Sequence, residues 1–485
     1  MKTLTAFNHI TFAVPYRKFV INSSVTVNES LPKVTEFVLR LIRLCSSLQL
    51  EEIGQYFGFS AKETRLILQS LSDQSLIRFE DETVWLTEYA ESKFYTDDDL
   101  PRFSVVKPRT DIVDFDLLTF HPVDVRKPAR PPSFAVPLPI DDEKVASSTR
   151  LAEQAYQRNF QRILRVKEKT NDKIDIYKIS SVQSRELFET PLEVTFFLDE
   201  NAEVERRITH KEDVPEAYRL GIEAAVSDAL KRPLTIQSEW FAEFVERFDD
   251  NVFGQYISKK NFDFRKYARD IHAHQQVVCS EKKTTPLLGN LYMPTNAERL
   301  MRAIQASLSP DIGEEESRLL TSIAWLAPNS PFWGRTVLFD DFYFKLQDLL
   351  RQAQRDKKGF REQIELLCAG AKEEVWSLQQ QFRGKREKSV HFYSGNVMGG
   401  RVEVFLIPTR LACALFHYAP PGNSSALVPV GLLTQNRLVL KEVQVFLREM
   451  LADGQNYSGK AIFDPKAQKG LDFEHSFGFL NYCGV

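Results

Sequence analysis

Leu31–Phe94 reads LPKVTEFVLRLIRLCSSLQLEEIGQYFGFSAKETRLILQSLSDQSLIRFEDETVWLTEYAESKF, and the turn at its centre, Gly58-Phe59-Ser60, decides how the segment folds. Ser60 can accept a hydrogen bond from the first turn of a following helix, and Glu63 can reach back to it, which makes Ser60-Ala61-Lys62-Glu63 a capping box. The helix it opens is expected over Ala61–Leu71, with Leu66, Ile67 and Leu71 facing inward. Upstream, Val34, Phe37, Val38, Leu41, Ile42 and Cys45 recur at three- and four-residue steps and predict a helix with one buried face over Leu31–Ser46. Gln49–Phe57 is a second, shorter helix. Downstream, Leu76-Ile77-Arg78-Phe79 and Thr83-Val84-Trp85-Leu86-Thr87 flank the polar turn Glu80-Asp81-Glu82, the pattern of a hairpin.

Helix, helix, turn, capped helix and hairpin within roughly 60 residues resembles the winged-helix family, the hairpin being the wing. The resemblance covers Leu31 to about Phe94 and rests on element order, the turn and the wing pattern. It implies recognition through the third helix, whose polar side carries Lys62, Arg65 and Gln69 as a helix in a DNA major groove would. Arg40, Arg43 and Arg78 add local positive charge. The wing, by contrast, would meet phosphates with three carboxylates where DNA-binding wings carry Lys or Arg. Duplex DNA, a protein partner and a purely structural use therefore all stay open.

Outside this segment the chain reads as α+β and multidomain: a winged helix with leading strands (1–96), a proline-rich linker (97–148), a small α+β domain (149–232), a mostly helical domain (233–385) and a C-terminal α/β module (386–485). Phe7–Val27 suggests one or two short strands around Pro15. Pro101, Pro108, Pro122, Pro128, Pro131, Pro132, Pro137 and Pro139 forbid long helices and favour extended chain, although Phe115, Leu117, Leu118 and Phe120 are too apolar for free coil. The small domain is expected to hold a helix over Arg150–Lys169, strands at Ile174–Ile179, Leu192–Leu198 and Val204–Ile208, and a helix over Pro215–Leu230. Helical spacing then predicts helices at Glu239–Phe248, Phe264–Val278, Asn296–Leu308, Glu314–Trp325, Asp340–Arg355, Phe360–Ala369 and Lys372–Phe382. Strands at Val402–Ile407, Leu411–Tyr418 and Leu427–Leu433, a helix over Arg437–Ala452 and a strand-like Ala461–Phe463 follow.

The 485 residues are 43% hydrophobic and 27% charged, with 63 Lys+Arg against 66 Asp+Glu, a globular composition long enough for several domains. A formal net charge of -3 excludes a protein that coats nucleic acid or anionic lipid through bulk charge, so any nucleic-acid contact must be a local patch. Cys45, Cys279, Cys368, Cys413 and Cys483 form no CxxC pair and read as reduced core thiols. The N-terminus lacks a basic segment followed by an unbroken apolar stretch, and no window is long and apolar enough for a membrane span, so a cytoplasmic location is expected. Thirty-six Phe residues read as fillers between helices and sheets.

Chemical signatures are sparse. There is no GxxxxGK[ST] and no GxGxxG, so no nucleotide cofactor is expected. His272 and His274 are two apart, which on a helix points them to different faces and supports no metal. His274 with Leu288-Gly289-Asn290, and His391 with Gly395-Asn396, resemble the phospholipase D-like nuclease motif, but the lysine that would neutralise the phosphoryl charge is missing from both. His391, His417, Asp464, Glu474 and His475 could converge on one cleft for general acid–base work. A basic cluster, Arg383, Lys385, Arg386 and Lys388, offers a second DNA-binding candidate or a solvated linker. The favoured reading is a DNA-associated or scaffold subunit of a multi-protein complex, such as a bacterial system of defence against phage. Its expected partners are duplex DNA and other protein subunits, with no membrane and no small-molecule cofactor. The alternative is a nucleic-acid-processing enzyme using the His/carboxylate set.

Overall fold

The computed structural model describes residues 4–29, 31–94, 101, 103–123, 130–168, 174–209, 214–231, 237–258, 261–273, 284–307, 322–330, 332–354, 363–369, 381–382, 390–393, 397–420, 426–452 and 457–461. The architecture is mixed α+β and falls into two compact units. One is Tyr16–Arg126 with Asp141–Leu187, and the other is Met1–Pro15 with Lys127–Ile140 and Phe188–Val485.

The chain opens on one uninterrupted strand, β1 (Leu4–Glu29), where short strands about Pro15 are expected. Proline suits extended backbone but cannot donate to a ladder; the pairing of β1 with Val136–Pro137 ends before it, at Ala13, and that with Phe103–Asp116 begins just past it, at Tyr16. Next come α1 (Lys33–Cys45), β2 (Leu48–Gln49), α2 (Leu50–Phe57), α3 (Ala61–Asp73), β3 (Ile77–Glu80), β4 (Thr83–Leu86) and the one-turn α4 (Glu88–Glu91). Strands β2, β4 and β3 make a small sheet with β4 central. Val38, Leu39 and Ile42 of α1 pack with Ile53 of α2, Leu68 and Leu71 of α3, and Val84 and Leu86 of β4.

Four inward assignments are corrected. Leu66 is 62% exposed, Val34 and Phe37 also face outward, and Cys45 is an exposed thiol. The buried stripe of α3 is Thr64, Leu68 and Leu71; Leu66, two residues from Thr64 and Leu68, falls on the opposite side of a 3.6-residue helix.

The stretch read as a linker contains β5 (Phe103–Asp116), antiparallel to β1 from Tyr16↔Asp116 to Glu29↔Phe103. β6 (Pro122–Val123) covers the outer side of β5 only at Asp114 and Phe115. Pro108 therefore lies where β5 has no second partner strand among the described residues, the place a sheet tolerates proline. The run continues through β7 (Val136–Pro137), α5 (Asp142–Ala146), α6 (Ser148–Glu168) and β8 (Asp175–Asp199), the last being one strand where two are expected. β9 (Val204–Ile208) pairs with the end of β8 and leads into α7 (Glu216–Leu230).

The remaining elements are α8 (Ser238–Phe248), β10 (Ile257–Ser258), β11 (Asn261–Phe262), α9 (Phe264–His272), β12 (Thr284–Leu288), α10 (Pro294–Ser307), β13 (Ser322–Ala327), α11 (Val337–Gln354), β14 (Gln363–Ala369), β15 (Val390–Tyr393), β16 (Val402–Ile407), β17 (Leu411–Tyr418), β18 (Val428–Thr434), α12 (Arg437–Ala452) and β19 (Tyr457–Ala461). Eight of the strands form one sheet in the order β12-β18-β17-β16-β13-β14-β15-β19. The helices expected at Glu314–Trp325 and Phe360–Ala369 are corrected: Ser322–Ala327 and Gln363–Ala369 are parallel neighbours in this sheet. Runs such as SIAWLA and QIELLCA have no period that separates a buried strand from a buried helix. The sheet consequently draws strands from both sides of residue 385. The helix expected at Lys372–Phe382 lies almost wholly outside the described residues.

Every residue of β16, β17 and β18 is buried, as strands covered on both faces must be. On one face Trp325 packs tilted against Phe339 of α11 and edge-on against Phe405 of β16, with ring centroids 5.3 and 5.5 Å apart. On the other, Phe241 of α8 meets Phe416 at 5.3 Å, and Phe248 meets Phe446 of α12 at 5.2 Å. No helix among the described residues is long and apolar enough to cross a membrane.

Candidate nucleic-acid interface

The position of α3 follows from its two ends and one close approach. Gly58 closes α2 in the left-handed conformation, φ 70°, which glycine adopts without steric cost. Ser60 Oγ accepts from the Glu63 amide at 3.3 Å while the Glu63 carboxylate accepts from the Ser60 amide at 2.9 Å. The hydrogen bonds from Ser60 hold the Glu63 carboxyl below its ordinary range. At Gly54 a Cβ would stand 2.9 Å from Thr64 Oγ1, so a side chain there would require Thr64 on α3 to shift.

With Thr64, Leu68 and Leu71 buried, Lys62, Arg65 and Gln69 all lie on the exposed side of α3, at steps of three and four that align them along about 10 Å of helix. Gln69 donates to Asp73 at 3.1 Å. Neither Lys62 nor Arg65 has an ion-pair partner among the described residues.

The other cations of this segment are engaged. Arg40 lies 3.8 Å from Glu36, Arg43 sits over the Phe94 ring at 4.4 Å, and Arg78 bonds Glu80 at 2.7 Å while lying 5.7 Å from the Trp85 ring. The hairpin therefore neutralises one of its three carboxylates internally, and Asp81 holds the turn at φ 57°. The Glu82 carbonyl accepts from the Leu50 amide at 3.1 Å, tying the hairpin to α2.

Of the rival His/carboxylate set, the two histidines among the described residues are held apart. His391 on β15 bonds Glu365 of β14, and His417 on β17 bonds Glu403 of β16 at 2.9 Å. Four strand spacings separate β15 from β17, about 19 Å at roughly 4.8 Å each. The two imidazoles also lie on opposite faces. Val390 and Leu415 share one core, and alternation puts His391 on the face opposite Val390 but His417 on the same face as Leu415. Both residues are 3% exposed, so neither imidazole is open to solvent.

Asp464, Glu474, His475, His274 and the cluster Arg383, Lys385, Arg386 and Lys388 lie outside the described residues. His272 is a buried helix residue with its ring nitrogens 2.7 and 2.9 Å from the carbonyl oxygens of Ala268 and Leu198. Glu365 and Glu403, the partners of the two buried histidines, are absent from the sequence reading. Their signal is a lone carboxylate inside an apolar strand, QIELLCA and VEVFLI, which demands a buried partner.

No protein-family model matches the chain, and none of the curated proteins matches it. Among solved structures it is similar to TrmBL2, an archaeal chromatin protein whose structure is described as showing a novel mode of DNA binding. The identity is 8% and the TM-score 0.19, with 87% of this chain and 91% of that one covered.

Proposed function

We propose that Leu31–Phe94 is a winged helix that contacts duplex DNA through α3, in a DNA-associated or scaffold subunit of a larger complex. The observation that carries this reading is the exposed stripe Lys62, Arg65 and Gln69, whose two cations have no ion-pair partner among the described residues while Arg40, Arg43 and Arg78 are held by their own segment. A helix presenting Lys, Arg and Gln at these steps has the donors that phosphates and the base edges of a major groove accept. The segment as a whole carries seven Lys and Arg against ten Asp and Glu. Such a background makes the contact weak, local and dependent on very few phosphates.

The test is fluorescence anisotropy of a labelled duplex with the full chain over a range of salt. Every phosphate that the protein ceases to neutralise lowers the slope of log K against log salt by about 0.9, so Lys62→Glu with Arg65→Glu is expected to lower it by about 2. Binding unchanged in that double variant would refute the assignment to α3 and direct attention to Arg383–Lys388. A second reading, recognition of protein by the same segment, is favoured by the apolar outer face of α1.

A further inference from the structure

Two surfaces in different parts of the chain are complementary to each other. The first is the outer face of α1. Val34, Phe37 and Leu44 are 45%, 48% and 77% exposed, and with the half-buried Leu41 they recur at steps of three, four and three. That is the a/d spacing of a helix that lies along another helix or in a groove. Lys33, Arg40 and Arg43 border this stripe; Lys33 and Arg40 share the one carboxylate of Glu36, at 3.2 and 3.8 Å, and Arg43 lies over the Phe94 ring, so the border keeps a net positive charge within these contacts.

The second is a groove of ≈ 520 Å³ between α10 and α11, within the roughly 300–1,000 Å³ of ordinary binding sites. Its floor is apolar: Met301 from α10, and Leu338, Phe342 and Leu349 from α11. Lining positions on α11 recur from Leu338 to Gln352, four turns and about 21 Å. The feature is thus an elongated channel parallel to a helix. Its rim carries Glu298, Asp341 and Asp348 against Lys345. Glu298 pairs with Arg302 and Asp348 with Arg351, exposed contacts of small value that a better partner can displace. Asp341 has no ion-pair partner among the described residues.

We infer that the groove between α10 and α11 of one copy of this chain receives α1 of a second copy. Length, chemistry and charge all agree. α1 has 13 residues, about 20 Å of helix, against about 21 Å of channel; its stripe of branched and aromatic side chains meets a floor of Met, Leu and Phe, and its cationic border meets an acidic rim. The contact joins two different surfaces, so it is head-to-tail. Each copy keeps one free groove and one free α1, and association continues until a ring closes or an open chain of copies grows.

Sedimentation velocity of the full chain from about 1 to 100 μM tests this, a range that spans micromolar association. The wild-type chain is expected to associate with rising concentration, and less so in high salt, because exposed charges are screened. Leu44→Asp, which spoils α1, and Asp341→Lys, which spoils the groove, are each expected to give monomers; both positions are exposed, and circular dichroism checks that each variant is folded. An equimolar mixture of the two variants is expected to form dimers, because the first keeps an intact groove and the second an intact α1, and this pairing cannot propagate. A wild-type chain that stays monomeric throughout, an Asp341→Lys chain that still self-associates as a symmetric pairing of α1 helices would, or a mixture that stays monomeric would each overturn the proposal. DNA binding by α3 is measured independently of all three results.

Discussion

Replacing His121 by Gln should flatten the pH dependence of the turn between β5 and β6. The residue is 8% exposed, and burial, with a contribution from the nearby charge of Arg162, pushes its imidazole down from 6.5 to about 4. The folded chain thus holds a neutral ring over a range in which the unfolded chain takes up a proton. Between about 6.5 and 4 the unfolded state binds more protons, so stability falls as pH falls through that window and is fully retained above it. Each tenfold change in proton affinity is worth about 1.4 kcal/mol, so a shift from 6.5 to about 4 corresponds to about 3 kcal/mol, or about two orders of magnitude in the opening equilibrium.

Asp116 works in the opposite sense. Burial raises its carboxyl despite the bonds it accepts from Thr119, His121 and Leu118, so its folded form retains a proton above the ordinary range and its contribution weakens as pH rises. The difference between wild type and His121→Gln removes that shared term, because the bond from residue 121 to Asp116 comes from the backbone amide. Hydrogen exchange of peptides spanning 112–123, corrected for intrinsic rates, reads the opening free energy from pH 7 to 4. Wild type should lose about 3 kcal/mol relative to the variant. Parallel curves would refute the assignment.

Ser60→Ala removes the side-chain half of the capping box and should cost about 1 kcal/mol. Faster exchange confined to the first turn of α3 is the expected signature, with the Glu63 carboxyl returning upward toward its ordinary range. Glu403→Leu removes the acceptor that serves both the Trp325 indole N–H, 3.1 Å away, and His417, 2.9 Å away. Stranding two buried polar groups should cost about 3–5 kcal/mol, read as a lower urea midpoint of the full chain, whereas Glu403→Gln, which keeps an acceptor in place, should cost clearly less.

What the sequence discloses depends on how local the deciding signal is. The segment 31–94 is punctuated by Gly58, Ser60 and an acidic two-strand turn, each acting within a few residues, and its elements appear with the type and order read from them. The strands at 402–407 and 411–418 and the helix at 437–452 are equally legible, because long apolar or periodic runs bounded by turn residues leave one assignment. Ser322–Ala327 and Gln363–Ala369 fail because a short, wholly apolar run takes its state from its neighbours, and theirs are strands up to about 40 residues away in parallel pairing, a distance that loop-closure arguments permit and periodicity does not see. β5 fails differently: proline density suggests a linker, but one edge of a strand accommodates Pro108 when no second partner lies alongside it. At the candidate interface, residue types are legible and engagement is not. Nothing in the sequence says that Arg40, Arg43 and Arg78 are occupied while Lys62 and Arg65 have no ion-pair partner among the described residues, since that depends on Glu36, Phe94 and Glu80 arriving beside the first three.

The same distinction explains the histidines. An imidazole and a carboxylate in one chain suggest acid–base chemistry only if solvent or substrate can reach them, and Glu403 is 0% exposed. A carboxylate in an apolar interior is costly unless its oxygens are bonded, and here the two partners lie on β13 and β17, the strands on either side of β16. Sliding β16 by one residue would turn Glu403 to the opposite face and break both bonds at once. An apolar residue in its place would tolerate the slip, because β16 is apolar at its other five positions, VEVFLI, and either face could accept them. Glu403 therefore fixes register in a strand whose apolar pattern does not, and Glu365 with His391 does the same for the parallel pair β14 and β15. That each pair joins adjacent strands, and that the two pairs lie on opposite faces with their histidines' strands about 19 Å apart, fits register control and not one site shared by the two pairs.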